Sequence, residues 1–592
     1  MIEPRVYRAA FVPALLAAVL AMFSLESRPR PLTQGLAADV LFDGRLAATS
    51  AARLAEAEPS RRPGGRGDRA TAAQVASVFA RRGFTVGRER FEHAGRDLEN
   101  VIGRRAGRSR RQIVLVANRD ASTVPDATGS ASDTAALLEL ARVFEGRPTR
   151  KTLVLASLDG STLGEVGAGR LAEALDASGV VDAVLIMSDL GSPARRGPFL
   201  QAWSNDSRRA SISLQRTVAE SIRQETGRLP GGAGALGQLA RLSFPIGVGA
   251  QGVLLEHGFD AVRISGSGEL PPGGSGSPEA IDEDRLGTLG RAALRTVTAL
   301  DQGERVEHGP KSYLLAVSQV VPGWVLAVLA GSLLIPVMVA TVDAFARARR
   351  RRVAVLTWLR WVGAWAAPFL AGLLCAEALG LVGATPSPPP APVAPRDVPL
   401  DGPALAVLAG TVAVMGAALV AARSLAVRPV EELRDLSDPG AGVALALTVS
   451  AAAAALWILN PYAALLAAPA AHLWMLAVLT RPPPPRRARA VLVGLGALPG
   501  LVVWVYHLFA LSLDPLEGAW YLLMLVTGHS VGLTTALIGC VWLGALGAVL
   551  ELTRRTPRER PTRQMPSGPE IYGPGRYAGP GSLGGTESAL RR

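Results

Sequence analysis

Seven apolar stretches fill the second half of the chain, near residues 315–342, 353–384, 402–422, 441–460, 462–480, 490–513 and 519–552. Each is close to or above the roughly 20 residues that cross a hydrocarbon core, so this half of the chain has a bilayer, not water, as its solvent. The connecting loops alternate in charge. Arg347 and Arg349 to Arg352 follow the first stretch, Arg423 and Arg428 the third, Arg481, Arg486, Arg487 and Arg489 the fifth, and Arg554, Arg555, Arg558 and Arg560 the last. The intervening loops are proline-rich (Pro386 to Pro399), short (Asn460-Pro461) or acidic (Asp514, Glu517). Arginine-rich loops stay cytoplasmic, which predicts seven crossings over 314–553 and a cytoplasmic, disordered tail over 554–592. The final stretch is long enough to hide a break at Gly528-His529, which sets the helix count to within one.

Near the N-terminus, Ala9 to Leu25 is an apolar run preceded by Arg5 and Arg8. Ala21-Met22-Phe23 is a poor small-x-small cleavage site, so residues 1–30 are expected to be an uncleaved signal anchor. With its N-terminus cytoplasmic, this anchor exports residues 35–310 across the plasma membrane.

Composition agrees with a membrane protein. Of 592 residues only 19% are charged, against about 25% in soluble chains. The net charge is +13, almost all from arginine, with Lys151 and Lys311 the sole lysines; such a bias fits a GC-rich bacterial genome. Because the arginines bracket apolar runs, the expected partner is the lipid bilayer and not nucleic acid. Cys375 and Cys540 both lie in apolar runs, which excludes a disulfide framework for the exported part and any cysteine-based zinc cluster.

Residues 35–310 alternate short β-branched runs with helical patterns, the mark of an α/β domain with a mostly parallel sheet between two helical layers. Strands are predicted around Phe84 to Phe91, from Asn100, and over Gln112 to Ala117, Thr152 to Ser157, Ala183 to Met187 and Ala261 to Ile264. Helices are predicted over Thr71 to Arg81 and Ala131 to Phe144, and near 162–176, 208–227 and 282–300.

The order Asn100-Val101-Ile102-Gly103, Ile113 to Asp120, Ala135 to Arg142 and Leu158-Asp159-Gly160 resembles the zinc-dependent aminopeptidase family (peptidase family twenty-eight), which includes bacterial leucyl aminopeptidase and aminopeptidase Y. The resemblance covers about 70–300. It implies two zinc ions held by two His, a bridging Asp, a Glu and another Asp, with a second Glu as general base. On the matching positions, the first ligand His is Asn118, followed by the orienting Asp120. The bridging Asp is Gly129, the base and ligand Glu pair is Ser161 and Thr162, and the ligand Asp is kept as Asp189. The last His belongs near Pro272, in a loop without histidine. One of five ligands survives, and three or four are needed to hold zinc.

Asp126, Asp133, Asp159 and Glu165, with Asp120 and Asp189, could make an all-oxygen site suited to calcium or magnesium, or serve as turn and cap residues. Ser130 and Ser132 read as ordinary helix-start serines, His257 as a helix cap, and Arg66-Gly67-Asp68 as a chance match to an adhesion motif. His472, His507, His529 and Glu377 fall within apolar stretches, where ionisable groups are costly.

An anchor helix, a ligand-poor aminopeptidase-like domain and about seven further helices are similar to the accessory subunit of the glycosylphosphatidylinositol transamidase. The expected function is a pseudoenzyme: a binding or scaffold module for a peptide, amine or lipid-linked ligand or a protein partner, without a cofactor. The alternative is a divergent active metallopeptidase or transamidase-like hydrolase, with zinc if the ligand set is completed elsewhere. A transporter formed by the helices ranks below both, because no paired broken segments stand out.

Overall fold

A computed structural model describes residues 3–554, except 33–40, 123, 177–179, 194–196, 271–275, 304–307, 317–318, 386–388 and 434–438. The tail expected to be disordered lies outside the described residues, as does most of the loop around Pro272.

Among the described residues ten strands occur in two sheets: β1 (Glu26–Ser27), β2 (Thr85–His93), β3 (Arg96–Arg105), β4 (Ser109–Asn118), β5 (Lys151–Leu158), β6 (Val181–Ser188), β7 (Phe199–Gln201), β8 (Ala261–Ser265), β9 (Tyr313–Leu315) and β10 (Gln319–Pro322). Seven form the main sheet in the order β2-β3-β5-β4-β6-β8-β7. Its centre, β5-β4-β6-β8, is parallel, while β3 joins β5 and β7 joins β8 antiparallel. Successive residues of a strand face opposite sides of a sheet, yet Ile113 to Ala117, Leu153 to Ala156 and Ala183 to Met187 are all buried. Both faces are therefore covered, as the unbroken apolar runs require.

On the helical side, Gly44–Ala57, Ser132–Phe144, Ile212–Thr226 and Glu283–Gln302 pack in a connected group, and Val166–Asp176 packs on Ala250–Glu256. The predicted strands and helices all form, with ends differing by a few residues. Gly44–Ala57 was not foreseen. Its alanine-rich face buries Ala47, Ala51, Leu54 and Ala55, and Asp43 caps it by accepting from the Leu46 N–H.

Among the described residues eight helices are long and apolar enough to cross a membrane: Pro4–Phe23, Gly323–Arg350, Val355–Leu381, Gly402–Val430, Pro439–Leu459, Pro461–Leu479, Arg486–Ala510 and Leu533–Arg554. The expected bundle boundary at 314 falls inside a hairpin. β9 and β10 pair with each other and β10 with β1, so the first helix after the α/β domain begins only at Gly323. The final apolar stretch is broken where expected, between Pro515–Thr527 and Leu533–Arg554, with His529 at φ +57° in the turn. The first piece, 13 residues and about 20 Å long, is too short to span.

The two halves meet in specific contacts. Asn460 donates from Nδ2 to the Leu242 carbonyl at 2.8 Å, and Arg241 donates to the Tyr506 hydroxyl at 3.0 Å.

Candidate functional site

Parallel pairing in register brings the ends of four strands together: Asn118 beside Leu158, Ala117 beside Met187, and Ser188 beside Ser265. In such sheets, ligands bind outside the carboxyl ends of the strands. The loops there carry the acidic residues singled out from the sequence. Asp126, Glu165 and Asp189 all have positive φ (48°, 55° and 55°). Non-glycine residues held in this region cost free energy and cluster at functional sites.

Asp120 is buried and accepts from the Ser161 N–H at 3.1 Å and the Thr162 N–H at 3.3 Å. Ser161 and Thr162 lie in a single tight turn between Gly160 and Gly164, both at positive φ, so they offer backbone donors to Asp120. Asp189 accepts from Ser267 Oγ at 2.8 Å and Ser188 Oγ at 3.0 Å. Its own N–H, with that of Leu190, is held by Asp133 at 2.8 and 3.0 Å. Asp133 stands in the first turn of its helix, as expected, and its carboxylate fixes the neighbouring loop. Asn118 points its amide Nδ2 at Glu165, 3.4 Å away.

Gly129 is buried in the turn Ala127–Ala131. A Cβ there would stand 2.6 Å from Asp126 Oδ1, because the Asp126 carboxylate folds back to accept from the Ser130 N–H at 2.9 Å. Asp126 thus fills the space that a side chain at 129 would need.

Two arginines that sequence reasoning missed sit beneath these loops without solvent exposure. Arg119 pairs with Asp68 at 2.9 Å and Asp159 at 3.3 Å, and donates to the Ser157 carbonyl at 3.0 Å. Arg61 donates to the carbonyls of Arg119 (3.2 Å), Glu58 (2.8 Å) and Pro125 (2.8 Å) and to Ser130 Oγ (3.0 Å). Asp159, weighed above as a metal ligand, is therefore an ion-pair partner, and Asp68 of the Arg-Gly-Asp triplet is buried in the same cluster. No spacing signal reveals this, since Asp68 and Arg119 are 51 residues apart. Ser132 Oγ donates to the Ala127 carbonyl at 2.6 Å, an ordinary helix-start contact.

The site's electrostatics favour neutral carboxyls. Burial pushes Glu165 up to about 8, with Asp120 adding to the rise and Arg263 and Asn118 opposing it. Burial, then Asp159, pushes Asp120 up to about 7 against the Ser161 and Thr162 N–H groups. Burial also raises Asp133 and Asp189.

The zinc that the aminopeptidase resemblance implies does not fit this donor set. An amide at 118, no side chain at 129 and hydroxyls at 161 and 162 leave Asp189, whose Oδ2 is engaged by two serines. Among the described residues no group of three or more His, Cys, Asp or Glu side chains is placed to hold a metal ion.

His472 joins the N-terminal helix to the bundle: Nδ1 accepts from the Tyr7 hydroxyl at 2.6 Å while Nε2 donates to the Leu333 carbonyl at 2.8 Å. His507 lies at the seam between the halves, edge-on to Phe244. His257 follows helix Ala250–Glu256 and returns its ring to the Val253 carbonyl at 2.9 Å. Glu377 lies in the last two turns of helix Val355–Leu381.

No family model matches the chain, and no curated protein does. Solved structures similar to it include a zinc aminopeptidase from Bacillus subtilis, at 14% identity, 44% of this chain, 96% of that chain and a TM-score of 0.36. A glutaminyl cyclase from Porphyromonas gingivalis matches at 17% identity, 44% and 98% coverage and a TM-score of 0.36. A leucine aminopeptidase precursor from Bacteroides thetaiotaomicron matches at 15%, 43% and 97%, with a TM-score of 0.35. The α/β assignment itself stands on the strand order and burial described above.

Proposed function

We propose that this chain is a multi-pass membrane protein whose exported α/β domain is a peptidase-like binding module without zinc-dependent catalysis. The observation that carries the reading is the fate of the catalytic positions. Asn118, Gly129, Ser161 and Thr162 replace the expected ligands and base, and Asp120, Asp133 and Asp189 are spent on fixing loops. What remains is a set of shaped, strained strand ends able to bind but lacking a group to activate water. Their position supports a peptide, amine or lipid-linked ligand, or a protein partner, met close to the bilayer: the neighbouring segments Ile246, Val248 and Leu270 pack on Leu511, Tyr521 and Val531 of the membrane half. The Tyr7–His472 contact supports an N-terminal helix kept as an anchor. The arginine pattern supports a cytoplasmic N-terminus and tail.

Elemental mass spectrometry of the purified full chain, after dialysis against trace zinc, magnesium and calcium, tests the reading. A metal-to-chain ratio near zero, with no hydrolysis of aminoacyl substrates, is expected. One or two bound ions per chain overturns it. The competing reading, a divergent active hydrolase with an oxygen-ligand metal site, draws on the buried carboxyls of Glu165, Asp120 and Asp189. It requires Glu165→Gln to abolish both metal retention and turnover.

A further inference from the structure

Residues 389–398, between helices Val355–Leu381 and Gly402–Ala422, lie against the loops at the strand ends of the α/β domain and read Pro-Pro-Ala-Pro-Val-Ala-Pro-Arg-Asp-Val. Four prolines fix φ along it, so little backbone freedom is lost when it docks. Pro390 rests on Gly164, the glycine that closes the Ser161-Thr162 turn. A Cβ at 164 would lie 2.4 Å from Pro390 Cδ and 3.0 Å from Pro389 Cβ. Ala391 is buried in the apolar core of the α/β domain, and Ala394 packs with Ile246 and Val248. Asp397 is buried beside Ser122, within electrostatic reach of Asp126 and Glu165.

The membrane half grips the same segment from behind. Tyr521 donates its hydroxyl to the Val393 carbonyl at 2.8 Å, and Trp520 donates Nε1 to the Val398 carbonyl at 3.0 Å. Both donors sit on the short helix Pro515–Thr527, which does not span. Alongside Pro390 and Ala391, an open groove of about 670 Å³ runs between Arg90, Gly164, Glu165 and Val253. That volume is within the range of ligand sites.

We infer that residues 389–398 are the resident ligand of the cleft: a proline-rich strap, closed by the single 3-10 turn Pro395–Asp397 and supplied by the membrane half, that holds the site in cis until an external peptide of the same chemistry displaces it. The inference rests on the cleft being a binding site. It names the ligand class as a proline- and alanine-rich peptide that ends in a tight turn bearing a carboxylate, matching the Gly164 floor, the buried place of Ala391 and that of Asp397 beside Ser122. It also gives the fold a route of coupling, because the strap continues into two bundle helices that must accommodate its release.

The test uses the full chain in lipid nanodiscs and a fluorescent decapeptide with the sequence of 389–398. A variant with this segment replaced by a Gly-Ser linker of equal length is expected to bind the peptide. The intact chain is expected to bind it about tenfold or more weakly, because the strap leaves the site open only a small fraction of the time. A scrambled decapeptide should bind neither, and Gly164→Leu in the linker variant should abolish binding. Equal binding by both chains, or none by a linker variant that melts like the intact chain, overturns the inference. If the linker variant does not fold, Asp397→Cys in a chain with Cys375 and Cys540 replaced by alanine decides. Its maleimide labelling should be slow and should accelerate with excess peptide; an unchanged rate overturns the strap. Failure of the underlying non-catalytic reading shows separately, as bound metal and hydrolysis.

Discussion

Arg119 pairs with Asp68 and Asp159 in a place none of the three shares with water, and burial pushes the Asp68 carboxyl up to about 8 against the pull of Arg119. Removing one partner from such a cluster strands the remaining charges, at a cost of about 3–5 kcal/mol. Arg119→Leu should therefore lower the unfolding midpoint of the α/β domain sharply, as read by thermal melts of the full chain in nanodiscs. Arg119→Lys should recover only part, because an ammonium cannot reproduce the planar fork. Glu165 makes a second prediction. Its folded-state pKa is raised from 4.5 to about 8, so the folded state favours the proton. The stability it contributes is fully present below about pH 4.5 and is lost as pH rises through about 8, at no more than about 1.4 kcal/mol per pH unit. Melts across that window should fall with pH in the intact chain and fall less steeply in Glu165→Gln, leaving the slope due to the other raised carboxyls, Asp68 and Asp120 foremost.

Elements were legible wherever one periodicity dominated. The runs Gln112 to Ala117 and Thr152 to Ser157 are apolar on both strand faces, and only a sheet covered on both sides accommodates that. Helix Gly44–Ala57 was missed because its buried face is made largely of alanine, which marks no stripe until neighbouring helices close on it. In the bundle, glycine sets the approach of helices. A Cβ on Gly544 would stand 2.6 Å from the Ala366 backbone, so helices Val355–Leu381 and Leu533–Arg554 touch there almost main chain to main chain. Gly544→Leu should destabilise the bundle by about 1–3 kcal/mol in detergent melts. Gly539→Leu, on the same helix with open space around its Cβ position, should be neutral.

At the scale of the whole molecule, the alternation of arginine-rich and arginine-poor loops predicts a sidedness, arginine-rich loops cytoplasmic. Single cysteines, in a chain with Cys375 and Cys540 replaced by alanine, measure it. Ala94→Cys, in the exposed turn between β2 and β3, should react with an impermeant maleimide in intact cells. Arg351→Cys, after helix Gly323–Arg350, should react only after permeabilisation. Labelling of both from outside would sink the assigned topology. The docking of the two halves also bears on the site, since segments near the strand ends, Ile246 and Val248, pack on Tyr521 of helix Pro515–Thr527.

The sequence by itself determined the division into apolar helices and an α/β domain, a last apolar run long enough to break at Gly528-His529, and the absence of metal-ligating side chains at 118, 129, 161 and 162. These are local: each follows from periodicity, from the reach of an apolar run, or from the identity of one side chain. Only the tertiary structure decided that Asp159 and Asp68 share Arg119, that Asp126 occupies the space at Gly129, and that 389–398 lies against the loops at the strand ends. Those facts depend on contacts between residues tens to hundreds of positions apart. Such contacts are fixed by how layers and helices pack, and they leave no period in the chain.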